Sequence, residues 1–287
     1  MKKDNNDMKI AISAESAIDL PKEILSRYDI ATVPFTLVMG EESALDGEVS
    51  SSDLFAYTEK TGKLPHTAAV NEFQYEEHFN ALKKEHDYII HFSISSEISS
   101  AFANATSVAK RMEDVSVIDS RSLSTGIALL AIAARELAEQ GVAPAEIVEK
   151  ISQRIKFDQT SFSLESVDFL YKGGRCSLLA MLGANILKIK PEIYVRDGKM
   201  YPGKKYRGPM KKVVLDYVED TLAEFNTPDL TRVFVTYSTA PEEVLEAVKE
   251  RLAKAGFKEI LLTQAGATIS CHCGPHCLGI LYMNDGK

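Results

Sequence analysis

Short runs of aliphatic and β-branched residues alternate along this chain with longer stretches whose apolar residues recur at helical spacing. That is the rhythm of a parallel sheet flanked by helices. In the first half, "KIAIS", "IATVPFTLV", "DYIIHFS" and "VSVIDS" predict four strands, and residues 73–84, 101–112 and 123–140 predict helices. The rhythm continues beyond the polar stretch "RIKFDQTSFS", although Gly, Lys and Arg crowd residues 172–212. A helix is predicted over 210–225, where Met210, Val213, Val214, Tyr217, Val218, Thr221, Leu222 and Phe225 form one stripe. "RVFVTYS" predicts a strand feeding a helix in "TAPEEVLEAVKERLAKAG", with Thr239 and Glu242 as a capping box and Gly256 as its stop. "EILLT" and "CLGILYM" complete the set. The expected fold class is α/β with two domains. Residues 8–157 form a three-layer α/β/α domain with a parallel sheet, and residues 158–287 form an α/β domain with a mixed sheet; residues 1–7 are a disordered tail.

At 287 residues and 45% hydrophobic composition the chain can bury a large core. The formal net charge of −8 argues against wholesale binding to nucleic acid or to an anionic membrane. No run reaches the roughly 18 apolar residues of a membrane span, and "MKKDNNDMKI" is followed by no signal-peptide core. A cytoplasmic location is expected. In that reducing compartment Cys176, Cys271, Cys273 and Cys277 are expected as thiols rather than disulfides.

Several stretches invite chemistry. "GKMYPGKK" approaches the phosphate-loop spacing, but Lys205 stands where a magnesium-holding hydroxyl is required, and G-x-G-x-x-G is absent. No nucleotide cofactor is expected. Residues 188–212 are locally basic, which suits a solvated face or a docking patch for an acidic partner. "PHTAAVN", "SISSEISSAFANA" and "VIDSRSLSTG" are rich in hydroxyls beside strand ends and helix starts. Capping explains most of these, and a hydroxyl beside a helix-start N–H also makes a small anion site suited to a carboxylate. In "ISCHCGPHCLGI", Cys271 and Cys273 would share one face of a strand and His272 the other, so the three do not converge on one ion. Buried thiols are the expectation there, and no metal.

Nine segments occur in family order from residue 9 to 283: "SAIDLP", "DG" at Asp46 and Gly47, the three hydroxyl-rich stretches, "DFLYKGGRCS", "LKIKPEIYVRDGKM", "KYRGPMKK" and "HCGPHCLGI". With them the chain resembles the DegV family of bacterial fatty-acid-binding proteins. The resemblance implies a non-enzymatic carrier that holds one long-chain fatty acid in an internal apolar tunnel. It would present the carboxylate to a separate ATP-dependent fatty acid kinase subunit for acyl phosphate formation, with room for transient membrane contact. Carried over by position, Thr67, Ser99, the N–H of Ser100 and His272 would bind the carboxylate, and Arg175 and Arg207 would meet the phosphate or the kinase. The chain departs from the family at Ala68, Ala69, Ser100 and Ala101, and at 14–17, where head-group geometry is open to change. Two alternatives stand beside the carrier. One is an acyl or phosphoryl transfer enzyme using His272 with Cys271 or Cys273; the other is a regulatory module docking through residues 188–212.

Overall fold

The computed structural model describes residues 8–175 and 189–286. The expected tail at 1–7, Cys176 and Lys188 lie outside the described residues.

In chain order the first half runs β1 (Ile10–Glu15), α1 (Lys22–Arg27), β2 (Ile30–Val33), β3 (Thr36–Met39), β4 (Glu42–Leu45), α2 (Ser51–Thr61), β5 (His66–Ala68), α3 (Glu72–Leu82), β6 (Tyr88–Ser93), α4 (Ala101–Ala109), β7 (Val115–Asp119), α5 (Thr125–Glu139) and α6 (Pro144–Arg154). The rest is β8 (Asp158–Ser163), α7 (Asp168–Lys172), β9 (Lys190–Arg196), β10 (Lys199–Tyr206), α8 (Met210–Glu224), β11 (Arg232–Tyr237), α9 (Glu242–Lys254), β12 (Glu259–Gln264), α10 (Ala267–Cys273) and β13 (Leu278–Met283).

Strands β2-β1-β6-β7 form an all-parallel sheet, and β1 is buried along its whole length, as a central parallel strand covered on both faces must be. Helices α3 and α4 cover one face, while α5 and α6 cover the other. The second sheet, β10-β9-β8-β13-β11-β12, is mixed: its pairings are antiparallel except for β11 with β12. Helix α5 packs on β1 and β6 and also on β8 and β13, so it sits between the two sheets. Its apolar residues therefore run round most of its circumference, from Ile127 to Ala134, and the main core draws on both sheets.

Three expectations change. "IATVPFTLV" is not one strand: Pro34 has no N–H to continue a ladder, so β2 stays in the parallel sheet and β3 joins a separate antiparallel sheet, β4-β3-β5. The second part of the polar stretch "RIKFDQTSFS" is a buried strand, β8, whose serine and threonine hydroxyls are bonded internally; Ser161 Oγ, for example, lies 2.8 Å from the Tyr217 hydroxyl. The near phosphate loop runs from the β9–β10 turn at Asp197 and Gly198 (φ 51° and 79°) along β10, so the turn leads into a strand and not a helix. The Thr239–Glu242 capping box is absent, because Pro241 is the N-cap of α9 and Thr239 Oγ1 instead accepts from the His276 N–H at 2.9 Å.

Candidate functional site

A cavity of about 340 Å³ opens where the two large sheets and the small one meet. It is walled by Phe35, by the loop after β6, by the turn into α5, and by residues of β8, β10, β11 and β13. Helix α10 supplies Thr268, Ile269, His272 and Cys273. The volume lies in the roughly 300–1,000 Å³ range of small-molecule sites.

Five of the six polar residues picked out in the sequence line this one cavity: Thr67, Ser99, Ser100, Arg175 and His272. Thr67 sits mid-strand in β5, opposite Leu37 of β3, and this pairing fixes its direction. Ser99 ends the loop after β6. Its Oγ accepts from the Ala101 N–H at 3.2 Å, so the serine hydrogen remains to be donated. Ser100 is the N-cap of α4, and its side chain makes no capping bond. Arg175 is exposed, its guanidinium bonded at 2.6 Å to the Gly173 carbonyl. Arg207 is also exposed, in the segment between β10 and α8, and does not line the cavity.

His272 is carried by α10, not by a strand as expected. Successive helix residues turn by about 100°, so Cys271 and Cys273 face different ways. Cys271 Sγ donates to the Pro65 carbonyl at 3.1 Å, whereas Cys273 and Cys277 turn to the cavity. All three are buried free thiols. Burial pushes Cys271 up to about 12, and contact with Cys273 together with burial raises Cys277 well above the ordinary thiol value. No group of three or more His, Cys, Asp or Glu side chains among the described residues is placed to hold a metal ion.

The His272 ring lies with Nε2 2.9 Å from Thr67 Oγ1. Burial, then the positive charge of Arg175 and the neighbouring His66, lower its pKa to about 4, so the ring is neutral at neutral pH. Nδ1 is buried without a hydrogen-bond partner among the described residues, pressed against Gly173, where an added Cβ would come within 2.7 Å of it. The ring tautomer decides the polarity of the pair. With the hydrogen on Nε2, the ring donates to Thr67 and the threonine hydrogen is turned outward; with it on Nδ1, Thr67 donates to the ring and offers only lone pairs.

Two carboxylates that sequence reasoning gave no role hold this helix. The N–H of Gly266 donates to Asp19 Oδ1 at 2.8 Å, and the N–H of Ala267 donates to Asp46 Oδ1 at 3.1 Å. These are acceptors for the helix-start amides, supplied from the other end of the chain. Ser16 Oγ and Ser124 Oγ donate to the remaining oxygens of Asp46 and Asp19. Burial and the nearby Asp46 charge raise the Asp19 pKa well above its usual value. The "SAIDLP" and "DG" segments contained both acids, but only their family order singled them out.

Three other hydroxyls on the wall are occupied. Ser124 donates to Asp19; Thr236 Oγ1 lies 2.7 Å from Thr125 and 2.9 Å from Thr263; Ser238 donates to the Gly274 carbonyl at 2.7 Å. Unspent donor capacity gathers at Ser99 and Ser100, beside Arg175 and the Thr67–His272 pair, whose polarity the ring tautomer sets.

The fold and this cavity define an α/β protein with a cavity enclosed between its sheets. The chain belongs to the DegV family: residues 9–285 match the family described as "Uncharacterised protein, DegV family". A relative from Thermotoga maritima, a fatty acid-binding protein, is 25% identical over 279 residues, covering 95% of this chain and 96% of that one. A fatty-acid-binding DegV family protein from Thermus thermophilus shares the fold with a TM-score of 0.89 at 22% identity, over 96% of this chain and 99% of that one. The Streptococcus pneumoniae Fatty Acid Kinase B3 protein, loaded with linoleic acid, has a TM-score of 0.83 at 21% identity, over 97% of this chain and 100% of that one.

Proposed function

We propose that this protein is a carrier that binds one long-chain fatty acid in the cavity and presents its carboxylate to a separate kinase subunit for conversion to an acyl phosphate. The observation that carries the reading is the distribution of hydrogen-bonding capacity round the cavity. Ser124, Thr236 and Ser238 are tied to protein partners, while Ser99 and Ser100 keep donors for a ligand and Thr67 keeps one in the tautomer with hydrogen on His272 Nε2. An acyl chain gains roughly 0.8 kcal/mol per buried methylene, so the head group need only avoid an uncompensated charge. A carboxylate selects the tautomer with hydrogen on Nε2, since that turns the Thr67 hydrogen toward it. Arg175 at the rim and the exposed Arg207 are the contacts for the phosphate or the kinase.

The relatives named as fatty-acid-binding support the ligand, and the fatty acid kinase protein among the neighbours supports the partner. A transfer enzyme with Cys271 as nucleophile is the poorer reading, because burial holds it as a neutral thiol and its Sγ donates to the Pro65 carbonyl. No described helix is long and apolar enough to cross a membrane. A cytoplasmic carrier with two domains meeting at 157/158 fits this role.

Mass spectrometry of the organic extract of purified protein tests the ligand. One equivalent of a long-chain acid is expected, with ATP-dependent acyl phosphate formed only when a kinase subunit is added. Protein that comes out free of lipid and takes up none from a micellar acid refutes the reading.

A further inference from the structure

Buried hydroxyls in folded proteins nearly always have a partner, so one without is informative. Among the described residues several buried polar side-chain atoms lack one, but only two of the residues concerned, Thr268 and His272, line the cavity; the atoms without a partner, Thr268 Oγ1 and His272 Nδ1, are themselves buried beside it. They stand four positions apart on α10, one turn from each other on the same face. Thr106 and Thr221 also have partnerless hydroxyls, yet neither touches the cavity.

Local structure does not account for the Thr268 hydroxyl. A helical threonine commonly bonds the carbonyl four residues back, but that residue, Gln264, still belongs to β12. The neighbouring Ser270, two positions on, is fully occupied: its Oγ lies 2.9 Å from Ser51 Oγ and donates to the Ala265 carbonyl at 3.2 Å. Thr268 is only 4% exposed, and a valine would fill the same wall without stranding an oxygen.

We propose that Thr268 is a further ligand contact, donating its hydroxyl to the carboxylate of the bound fatty acid one helical turn from His272. This rests on the carrier reading above. Threonine in a helix has two accessible χ1 wells, and exchange between them moves the hydroxyl to the place of the methyl at almost constant volume. Binding thus supplies the partner that the empty protein lacks, and the head group is held from β5, from the start of α4 and from α10 together.

The test compares wild type, Thr268→Val and Thr268→Ser after delipidation, measuring palmitate affinity by calorimetry and the unfolding midpoint without lipid. Loss of one hydrogen bond to a charged group predicts roughly tenfold to a hundredfold weaker palmitate binding in T268V. The lipid-free midpoint should be unchanged or raised, and T268S should stay within about threefold of wild type by the same donor argument. Binding of hexadecanol, which has no carboxylate, should suffer less in T268V than binding of palmitate. Unchanged palmitate affinity in T268V overturns the assignment and leaves the carrier reading intact. A lowered lipid-free midpoint together with equal losses for both probes makes the hydroxyl structural and also overturns it. Wild-type protein that takes up no palmitate overturns the carrier reading and this contact with it.

Discussion

Acid should penalise the folded protein through His272, by an amount that can be isolated. The ring titrates near 6.5 when unfolded and near 4 in the folded chain, because burial and the Arg175 and His66 charges disfavour its cation. Above 6.5 neither state binds the proton and the ring has no effect on stability. As pH falls from 6.5 toward 4 the unfolded state binds a proton that the folded state refuses, so stability is lost across that window, and below about 4 the loss is complete. At 1.4 kcal/mol per pH unit, the interval from 6.5 to about 4 corresponds to about 3 kcal/mol. Other groups titrate in the same range: Asp158, raised by burial to about 6, acts with the opposite sign, and His78, lowered to about 3, acts with the same sign. The measurement is therefore a difference between the lipid-free wild type and His272→Gln, which keeps a donor near Thr67 but cannot titrate. Denaturant unfolding of both between pH 7.5 and 4 should show the wild type losing about 3 kcal/mol more than the variant. Parallel curves, with a constant gap over that window, would falsify the claim that the ring is held neutral by its surroundings.

Thr67→Ala and Ser99→Ala should each weaken fatty acid retention by about 1–3 kcal/mol, the cost of removing one donor to a buried anion; full retention of lipid by both on delipidating resin would discard the head-group assignment. Gly173→Ala tests the close approach beneath the ring. The backbone there is ordinary, with φ −70°, but the new methyl would meet His272 Nδ1 at 2.7 Å and the Phe169 carbonyl at 2.9 Å. About 1–3 kcal/mol of stability should be lost through overpacking, with the imidazole signals of His272 displaced in NMR spectra; a silent substitution would show that the ring has room. Asp46→Ala removes the acceptor for the Ala267 N–H and for Ser16 Oγ. It should cost about 1–2 kcal/mol by thermal unfolding, and a wild-type midpoint would show that α10 does not depend on this cap.

Elements whose causes are local were legible, and those whose causes are distant were not. The stripe from Met210 to Phe225 became α8, ending one residue earlier at Glu224, and "DYIIHFS" and "CLGILYM" contain β6 and β13, since periodicity and β-branching act within a few residues. Helix α10 carries no such signature. Its N-cap is Gly266, which has no side chain to cap with, and the acceptors for its first amides come from residues 247 and 221 positions away. A reading that saw only "ISCHC" had no reason to prefer helix to strand. The same distance hides the polarity of the cavity. Whether a serine or threonine there has a hydrogen to spare depends on who has already claimed it: Ser124 is claimed by Asp19 from 105 residues away, and Thr236 is paired with Thr125 from 111. Ser99 is the exception that proves readable, because its claimant is the Ala101 N–H two residues on, within the helix start that "SSAF" announces. The hydroxyl-rich stretches thus marked where a ligand's head group could be met, while only the folded chain separates the hydroxyls that serve the protein from those left for the ligand.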